Sequence, residues 1–297
     1  MEFTFSDFSA PWFERPFFDE AAKQDQEPHI VRLAEDFRRD GYLKLALDFD
    51  PATLDAVEAE TRALHGCARR VQHLWRRSAA IRDLACAPQV LSLLSALYGR
   101  RAFPFQTLNF PIGTQQRTHS DTFHFHSAPS RYMCGVWVAL EDIDEDNGPL
   151  HYFPGSHALP IFTLEDIGSH HYGDYETYVA KLLHRCGFKK ELGLMKRGEV
   201  LIWSANLFHG GERIKDPART RLSQVTHYYF DDCMYFTPRL KESPFSKGRL
   251  RYPYDFSQNR FIKNRHFDGY VDVSFRDRLS NWRAVYMKHT PTTPVKS

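Results

Sequence analysis

A change of texture near residue 103 constrains the fold more than any other feature of the chain. From there, short aromatic and β-branched runs, "FPFQTLNF", "HSDTFHFH", "CGVWVALEDI", "PLHYFPGS", "EVLIWSA" and "RLSQVTHYYF", alternate with turn clusters such as "DEDNGP" and "FPGSH". Parallel strands need a crossover of a dozen or so residues between them, and most of these gaps are too short for that. The pattern predicts an antiparallel sandwich or jelly roll, mainly β with flanking helices. The interruption at 163–191 stands apart: "GDYETYVAKLLHRCG" reads as an amphipathic helix closed by Gly187, an insertion suited to cover one mouth of the barrel.

The region before residue 103 is mostly helical. "PHIVRLAEDFRRDG" spaces Ile30, Leu33, Ala34 and Phe37 along one helical face and ends on Gly41; the strand "YLKLAL" follows. Asp50 and Pro51 form a start signal for a helix turning Leu54, Val57, Thr61 and Leu64 inward. A further helix starts at Pro88, faces Val90, Leu91, Leu94 and Leu97 one way, and stops at Gly99. The chain thus reads as one domain over 1–297: a helical layer (1–100), a jelly-roll core (101–235) and a basic, aromatic C-terminal extension (236–297) whose last residues, "HTPTTPVKS", are expected to be disordered.

Composition narrows the partners. With 39 basic against 37 acidic side chains and a net charge of +2, no global field gathers nucleic acid or a membrane surface, and a small-molecule substrate is the expectation. The five cysteines are scattered and never spaced C-x-x-C, which suits a reducing cytoplasm. The first residues lack a basic leader with an apolar run, and no stretch is expected to approach the roughly 20 apolar residues of a bilayer span. Oligomeric state is not legible.

In "HSDTFHFH", strand alternation would put His119 and Asp121 on one face. An H-x-D pair alone is weak, since 15 histidines make roughly one chance match expected, and "HFD" at His266 to Asp268 is read as such a match. The first pair gains from His209 in "LIWSANLFHGG", at the end of another predicted strand, where Gly210 and Gly211 leave backbone room. Two histidines and one carboxylate with open positions suit non-haem Fe(II) and O2. Downstream, Arg221 and Ser223 alternate onto one strand face, a guanidinium beside a hydroxyl, suited to the far carboxylate of a dicarboxylic cosubstrate. Arg219, two residues earlier, is the alternative.

Four motifs in order, "HSD", "GVWVALEDIDEDNGPLHYFPGSH", "GEVLIWSANLFHGG" and "RLS", make the chain resemble the phytanoyl-CoA dioxygenase family of Fe(II)- and 2-oxoglutarate-dependent oxygenases over roughly residues 103–230. The resemblance implies a double-stranded β-helix (cupin-like jelly roll), His119, Asp121 and His209 as iron ligands, and Arg221 with Ser223 on the distal carboxylate of 2-oxoglutarate. It also implies Trp137 lining that cosubstrate and Gln106 as a polar contact. The implied reaction couples decarboxylation of 2-oxoglutarate, giving succinate and CO2, to hydroxylation of an unactivated C–H bond; desaturation or ring formation stays open. Because Asp121 occupies the position that related halogenases leave to halide, hydroxylation is favoured over halogenation. A catalytically silent cupin-like module holding metal or sugar is the rival reading. His124 and His126 are additional candidates, with His126 read as a substrate or water contact and buried structural histidines as the alternative for both. Basic stretches such as "CARRVQHLWRRS", with Arg69, Arg70, Arg76 and Arg77 near Trp75, fit either an anionic substrate or a solvated helix face.

Overall fold

A computed structural model describes residues 10–14, 26–238, 249–266 and 269–286. Its helices start and stop where the sequence places caps. Helix α1 (Pro28–Asp40) closes on Gly41 at φ 79°, whose N–H bonds back to the Phe37 carbonyl. Asp50 caps α2 (Pro51–Arg62), accepting from the N–H groups of Ala52 and Thr53. Helices α3 (Ala79–Ala85) and α4 (Pro88–Tyr98) follow. One expectation needs correction here, because Ala79–Tyr98 does reach the length and apolarity of a span, 20 residues at a mean hydropathy of 1.3. Proline at residue 88 splits it into two short helices, and Ile81, Leu84, Val90, Leu94 and Leu97 are core residues.

The strands are β1 (Tyr42–Ala46), β2 (Val71–Gln72), β3 (Ala102–Phe110), β4 (His126–Ala128), β5 (Met133–Ala139), β6 (Leu150–Tyr152), β7 (Glu191–Gly193), β8 (Glu199–Ser204), β9 (His209–Gly211), β10 (Ser223–Phe230), β11 (Met234–Thr237) and β12 (Arg249–Leu250). The main sheet runs β1-β8-β5-β10-β3-β2, antiparallel throughout. Smaller sheets run β7-β6-β9 and β12-β11-β4. This is the jelly roll that the texture of the sequence predicts.

Register determines which side chains meet. Residues paired across an antiparallel ladder share a face. Gln106, His227, Gly135, Trp203 and Tyr42 therefore form one row across the main sheet, and Leu108, Val225, Trp137 and Leu201 the next. Together with Ile143, Tyr152, Met195 and Leu207 the apolar members of this face form an inner core. The opposite face, bearing Val136, Val138, Val200 and Ile202, packs against the helical layer through Phe37, Leu54, Leu94 and Leu97.

The insertion contains helix α5 (Tyr172–Arg185), which buries Tyr175, Val179 and Leu183 against Phe123 and Phe208. The C-terminal extension, aperiodic in sequence, forms two hairpins, β13 (Tyr254–Asp255) with β14 (Arg260–Phe261) and β15 (Asn264–His266) with β16 (Gly269–Val271), followed by α6 (Phe275–Tyr286). Strands of two or three residues are too short to display alternation, so they left no periodic signal. Phe256 stacks on Trp75 at 4.4 Å between ring centroids, which ties the extension to the helical layer. The terminal "HTPTTPVKS" and Asp268 of "HFD" lie outside the described residues.

Candidate metal centre

The segment 119–126 is not the continuous strand that its alternation suggested. His119 pairs with His209 in a single antiparallel bridge, each N–H donating to the other's carbonyl at 2.8 and 2.9 Å. The chain then leaves the ladder for a 3-10 turn at Asp121–Phe123, and strand structure resumes only in β4. Ser120 is the physical reason: its hydroxyl accepts from the Thr122 N–H and donates to the Ala205 carbonyl, offering the backbone a local alternative to the sheet. The turn, rather than alternation, carries Asp121 back toward His119.

One ligand-type atom from each of His119, Asp121 and His209 lies within 4.8 Å of the others, and all three residues are buried. Asp121 Oδ1 is 4.0 Å from His119 Nε2, and Oδ2 is 3.9 Å from His209 Nε2. Each Nδ1 faces a main-chain carbonyl, Arg117 at 2.9 Å and Leu207 at 3.0 Å. A carbonyl only accepts, so Nδ1 holds the proton and Nε2 presents its lone pair. Trp203 donates its indole N–H to Asp121 Oδ2 at 2.8 Å. Its ring can do so because it lies across Gly135, where a Cβ would come within 2.3 Å of the indole. His227 Nε2 stands 3.5 Å from the same oxygen, and its Nδ1 lies 2.8 Å from Gln106 Oε1. Gly210 is equally constrained, because a Cβ there would meet the Gln116 carbonyl at 2.7 Å and the His151 ring at 2.8 Å.

Charge state follows from surroundings. Burial, reinforced by His209, lowers His119 to about 4, and burial also lowers His209. Burial alone would raise the Asp121 carboxyl, but His209, His227 and His119 around it hold it well below the usual carboxylate range. Neutral imidazoles beside an ionised carboxylate are the form in which such groups bind a metal. With nitrogen and oxygen donors and no thiolate, the set fits Fe(II).

A cavity of about 300 Å³ opens on these three side chains and is also lined by Gln106, Arg221 and Val225. Arg221 lies just before β10 rather than within it, only 2% exposed, with its guanidinium over the rings of Trp137 at 5.3 Å and Phe110 at 5.4 Å. Burial pulls it down to about 10, which leaves it a cation at neutral pH. Its Nε, the Trp137 Nε1 and the Ser223 Oγ are buried without hydrogen-bond partners. Buried polar atoms are nearly always satisfied, so these three atoms are hydrogen-bonding capacity that the described residues leave unmet. Arg219 is engaged elsewhere, its guanidinium donating to both Asp144 oxygens at 2.7 Å.

Some candidates are positioned differently from the sequence reading. Trp137 and Ser223 stand behind Arg221 rather than in the cavity wall, while Gln106 lines the cavity. His124 lines it too, whereas His126, the expected contact, stacks on Phe236 at 4.8 Å instead. Sequence reasoning missed Trp203, His227 and Tyr172 as cavity residues. Alternation in "EVLIWSA" and "RLSQVTHYYF" puts Trp203 with Leu201 and His227 with Val225, which was the available signal; Tyr172, on the insertion, left none.

A family model described as phytanoyl-CoA dioxygenase (PhyH) matches residues 37–221. Ectoine dioxygenase of Sphingopyxis alaskensis is 28% identical over 217 residues, covering 62% of this chain and 70% of that protein. Peroxisomal phytanoyl-CoA dioxygenase of Rattus norvegicus is 27% identical over 165 residues, 51% of this chain and 47% of that one, so the chain spans about half of that relative. Among solved structures, the epimerase SnoN in complex with Fe3+, alpha ketoglutarate and nogalamycin RO superposes with a TM-score of 0.59 at 22% identity, over 78% of this chain and 97% of that one. EctD from S. alaskensis with 2-oxoglutarate and 5-hydroxyectoine gives 0.58 at 21% identity, over 74% and 83%. At these identities the structural matches establish the shared fold.

Proposed function

The chain belongs to the phytanoyl-CoA dioxygenase family, whose members are Fe(II)- and 2-oxoglutarate-dependent oxygenases, and from that premise we propose that it hydroxylates an unactivated C–H bond of a small molecule, releasing succinate and CO2. The observation that carries this reading is one cavity lined by both a buried two-histidine, one-carboxylate set and a buried guanidinium whose Nε has no hydrogen-bond partner. Iron held by His119, Asp121 and His209 would supply the activation of O2 at the expense of the 2-oxo acid.

The chain's own part is positioning. The Arg117 and Leu207 carbonyls aim the two imidazoles, and Trp203 aims the carboxylate. Arg221, backed by Trp137 and Ser223, takes the distal carboxylate of 2-oxoglutarate and so fixes which end reaches the metal. Tyr172 from the insertion and Phe125 line the rest of the cavity, where the C–H bond to be oxidised would lie. With iron bound, Asp121 would be a ligand where a halogenase leaves room for halide, which favours hydroxylation. All five cysteines are free thiols, which fits a reducing compartment, and we place the protein in the cytoplasm.

A silent metal-binding barrel gives Arg221 no role, although burying a guanidinium with no salt-bridge partner among the described residues costs stability. Succinate release by iron-loaded protein given 2-oxoglutarate and O2 tests the reading. Asp121→Ala and His209→Ala are each expected to abolish it while leaving a folded chain by circular dichroism; turnover surviving both substitutions removes the metal assignment.

A further inference from the structure

Helix α5 of the insertion packs on both stretches of chain that carry the three metal-type side chains. Residues three and four apart share a helix face, and Tyr172, Tyr175, Glu176, Val179 and Leu183 follow that spacing. At the first turn the Tyr172 ring lies 5.0 Å from that of Phe123 and 5.8 Å from that of His124, between centroids. Glu176 faces Arg117 at 3.6 Å. Val179 and Leu183 join a buried cluster with Phe208, the residue before His209. Each of these partners stands only a few positions along the chain from His119, Asp121 or His209.

Tyr175 makes the most direct contact. It is 1% exposed, its ring centroid is 4.5 Å from that of Phe123, and its hydroxyl oxygen accepts from the Ser120 N–H at 3.3 Å. Ser120 is the residue between His119 and Asp121, and its backbone is extended at φ −116°, ψ 139°. In extended chain successive N–H groups point to opposite sides. The His119 N–H goes to the His209 carbonyl, so the Ser120 N–H is turned away from β9, and Tyr175 meets it there. The Ser120 hydroxyl is committed to the Thr122 N–H and the Ala205 carbonyl. The turn that carries Asp121 is therefore held by the barrel through one group of Ser120 and by the insertion through another. A buried N–H that loses its acceptor carries the full cost of its desolvation. The backbone escapes that cost only by moving, and a movement at Ser120 shifts Asp121 relative to His119.

We propose that Tyr175 is a positioning residue of the metal centre, acting through the Ser120 N–H, and that metal binding and docking of the insertion helix strengthen each other. The inference rests on the metal assignment in the oxygenase reading and gives the insertion a part that reading leaves open. Metal binding demands one ligand geometry, whereas the metal-free turn can relax, so loss of the acceptor weakens the metal complex more than the free protein. Coupling is reciprocal: the factor by which the docked helix raises metal affinity is the factor by which bound metal favours docking. Tyr172, one turn earlier, lines the cavity, so a docked helix also completes one wall of the substrate space. Residues that orient metal ligands are worth about 10–100-fold in affinity, and a 3.3 Å bond to the backbone belongs at the lower end.

Zn(II) affinity, read by competition with a chromogenic chelator, should fall about tenfold in Tyr175→Phe, which keeps the ring on Phe123 and loses the acceptor. Val179→Ala is the packing control: it should melt earlier yet bind Zn(II) within about twofold of the wild-type chain. With Co(II) as the probe, the visible d–d absorption should shift in Tyr175→Phe and stay in place in Val179→Ala. Hydrogen exchange of the α5 amides should slow about tenfold when Zn(II) saturates the wild-type chain, and less than half as much in Tyr175→Phe. Equal Zn(II) affinity in the wild-type and Tyr175→Phe chains, an equal loss in Val179→Ala, or α5 exchange indifferent to metal overturns the inference. Zn(II) affinity that survives Asp121→Ala unchanged overturns the metal assignment beneath, and the inference with it.

Discussion

His119 and His209 give their Nδ1 protons to main-chain carbonyls and Asp121 receives the Trp203 indole N–H, so the donor wall of the cavity is hydrogen-bonded before anything binds. Elsewhere in the lining Arg221 keeps its Nε buried with no partner among the described residues, as do Trp137 Nε1 and Ser223 Oγ outside the cavity wall. One wall has its geometry fixed by internal partners; the other carries a cation with unmet hydrogen-bonding capacity. The contrast teaches where stability and function trade against each other: removing a group from the first wall loosens a built site, whereas removing the cation from the second relieves a cost.

The largest expected effect breaks this contrast if it fails. Arg221→Met should weaken 2-oxoglutarate binding by at least about 100-fold, the scale of truncating one partner of a buried charge pair. It should also stabilise the ligand-free protein by about 1–4 kcal/mol, because methionine fills the space between Phe110 and Trp137 without a desolvated charge. Melting curves with and without cosubstrate read both effects. Arg219→Ala is the control: a half-exposed guanidinium on Asp144 should change cosubstrate binding by less than about twofold. A variant at 221 that binds normally, or melts earlier without ligand, would erase the distinction between the walls.

A middle-sized effect sharpens the donor wall. Trp203→Phe keeps an aromatic ring over Gly135 but loses the N–H that aims Asp121. Metal affinity, followed by competition with a chromogenic chelator, should fall about 10–100-fold, the usual scale for a residue that orients a ligand. Unchanged affinity would mean that the carboxylate needs no guide.

The smallest effect is a shallow slope. Burial lowers the His119 pKa to about 4 and lowers that of His209 below its ordinary value, so protons compete for the two Nε2 atoms less than they would for exposed histidines. Zn(II) affinity should therefore fall by less than about tenfold between pH 8 and pH 5.5, the loss that one ordinary histidine alone would give. Two ordinary histidines, titrating near 6.5, would lose about 100-fold over the same range.

The same contrast explains what was legible in the sequence. The helix ends at Gly41, Asp50 and Gly99 are local chemistry, with a cap or a left-handed residue at a fixed offset, and the structure has them there. His119, Asp121 and His209 could be chosen as candidates because their residue types are uncommon together, but the reason given for pairing the first two was wrong. Ser120 makes a turn where alternation implied a strand. Alternation puts Trp203 on one strand face with Leu201 and His227 with Val225, but which face lines the cavity depends on sheet register, a long-range property. Trp203 also depends on Gly135 lacking a side chain in a neighbouring strand. Arg70, which lines the cavity, was visible only as one of several arginines, since nothing local distinguishes it from a solvated one.

Crystals of the protein grown anaerobically with Fe(II), with diffraction recorded across the iron absorption edge, test the central claim most directly. The account predicts one anomalous peak within about 2.0–2.3 Å of His119 Nε2, His209 Nε2 and an Asp121 oxygen, the bond lengths usual for first-row metals on such donors. A peak held instead by His124 or His227, or one that leaves His209 unligated, would contradict it.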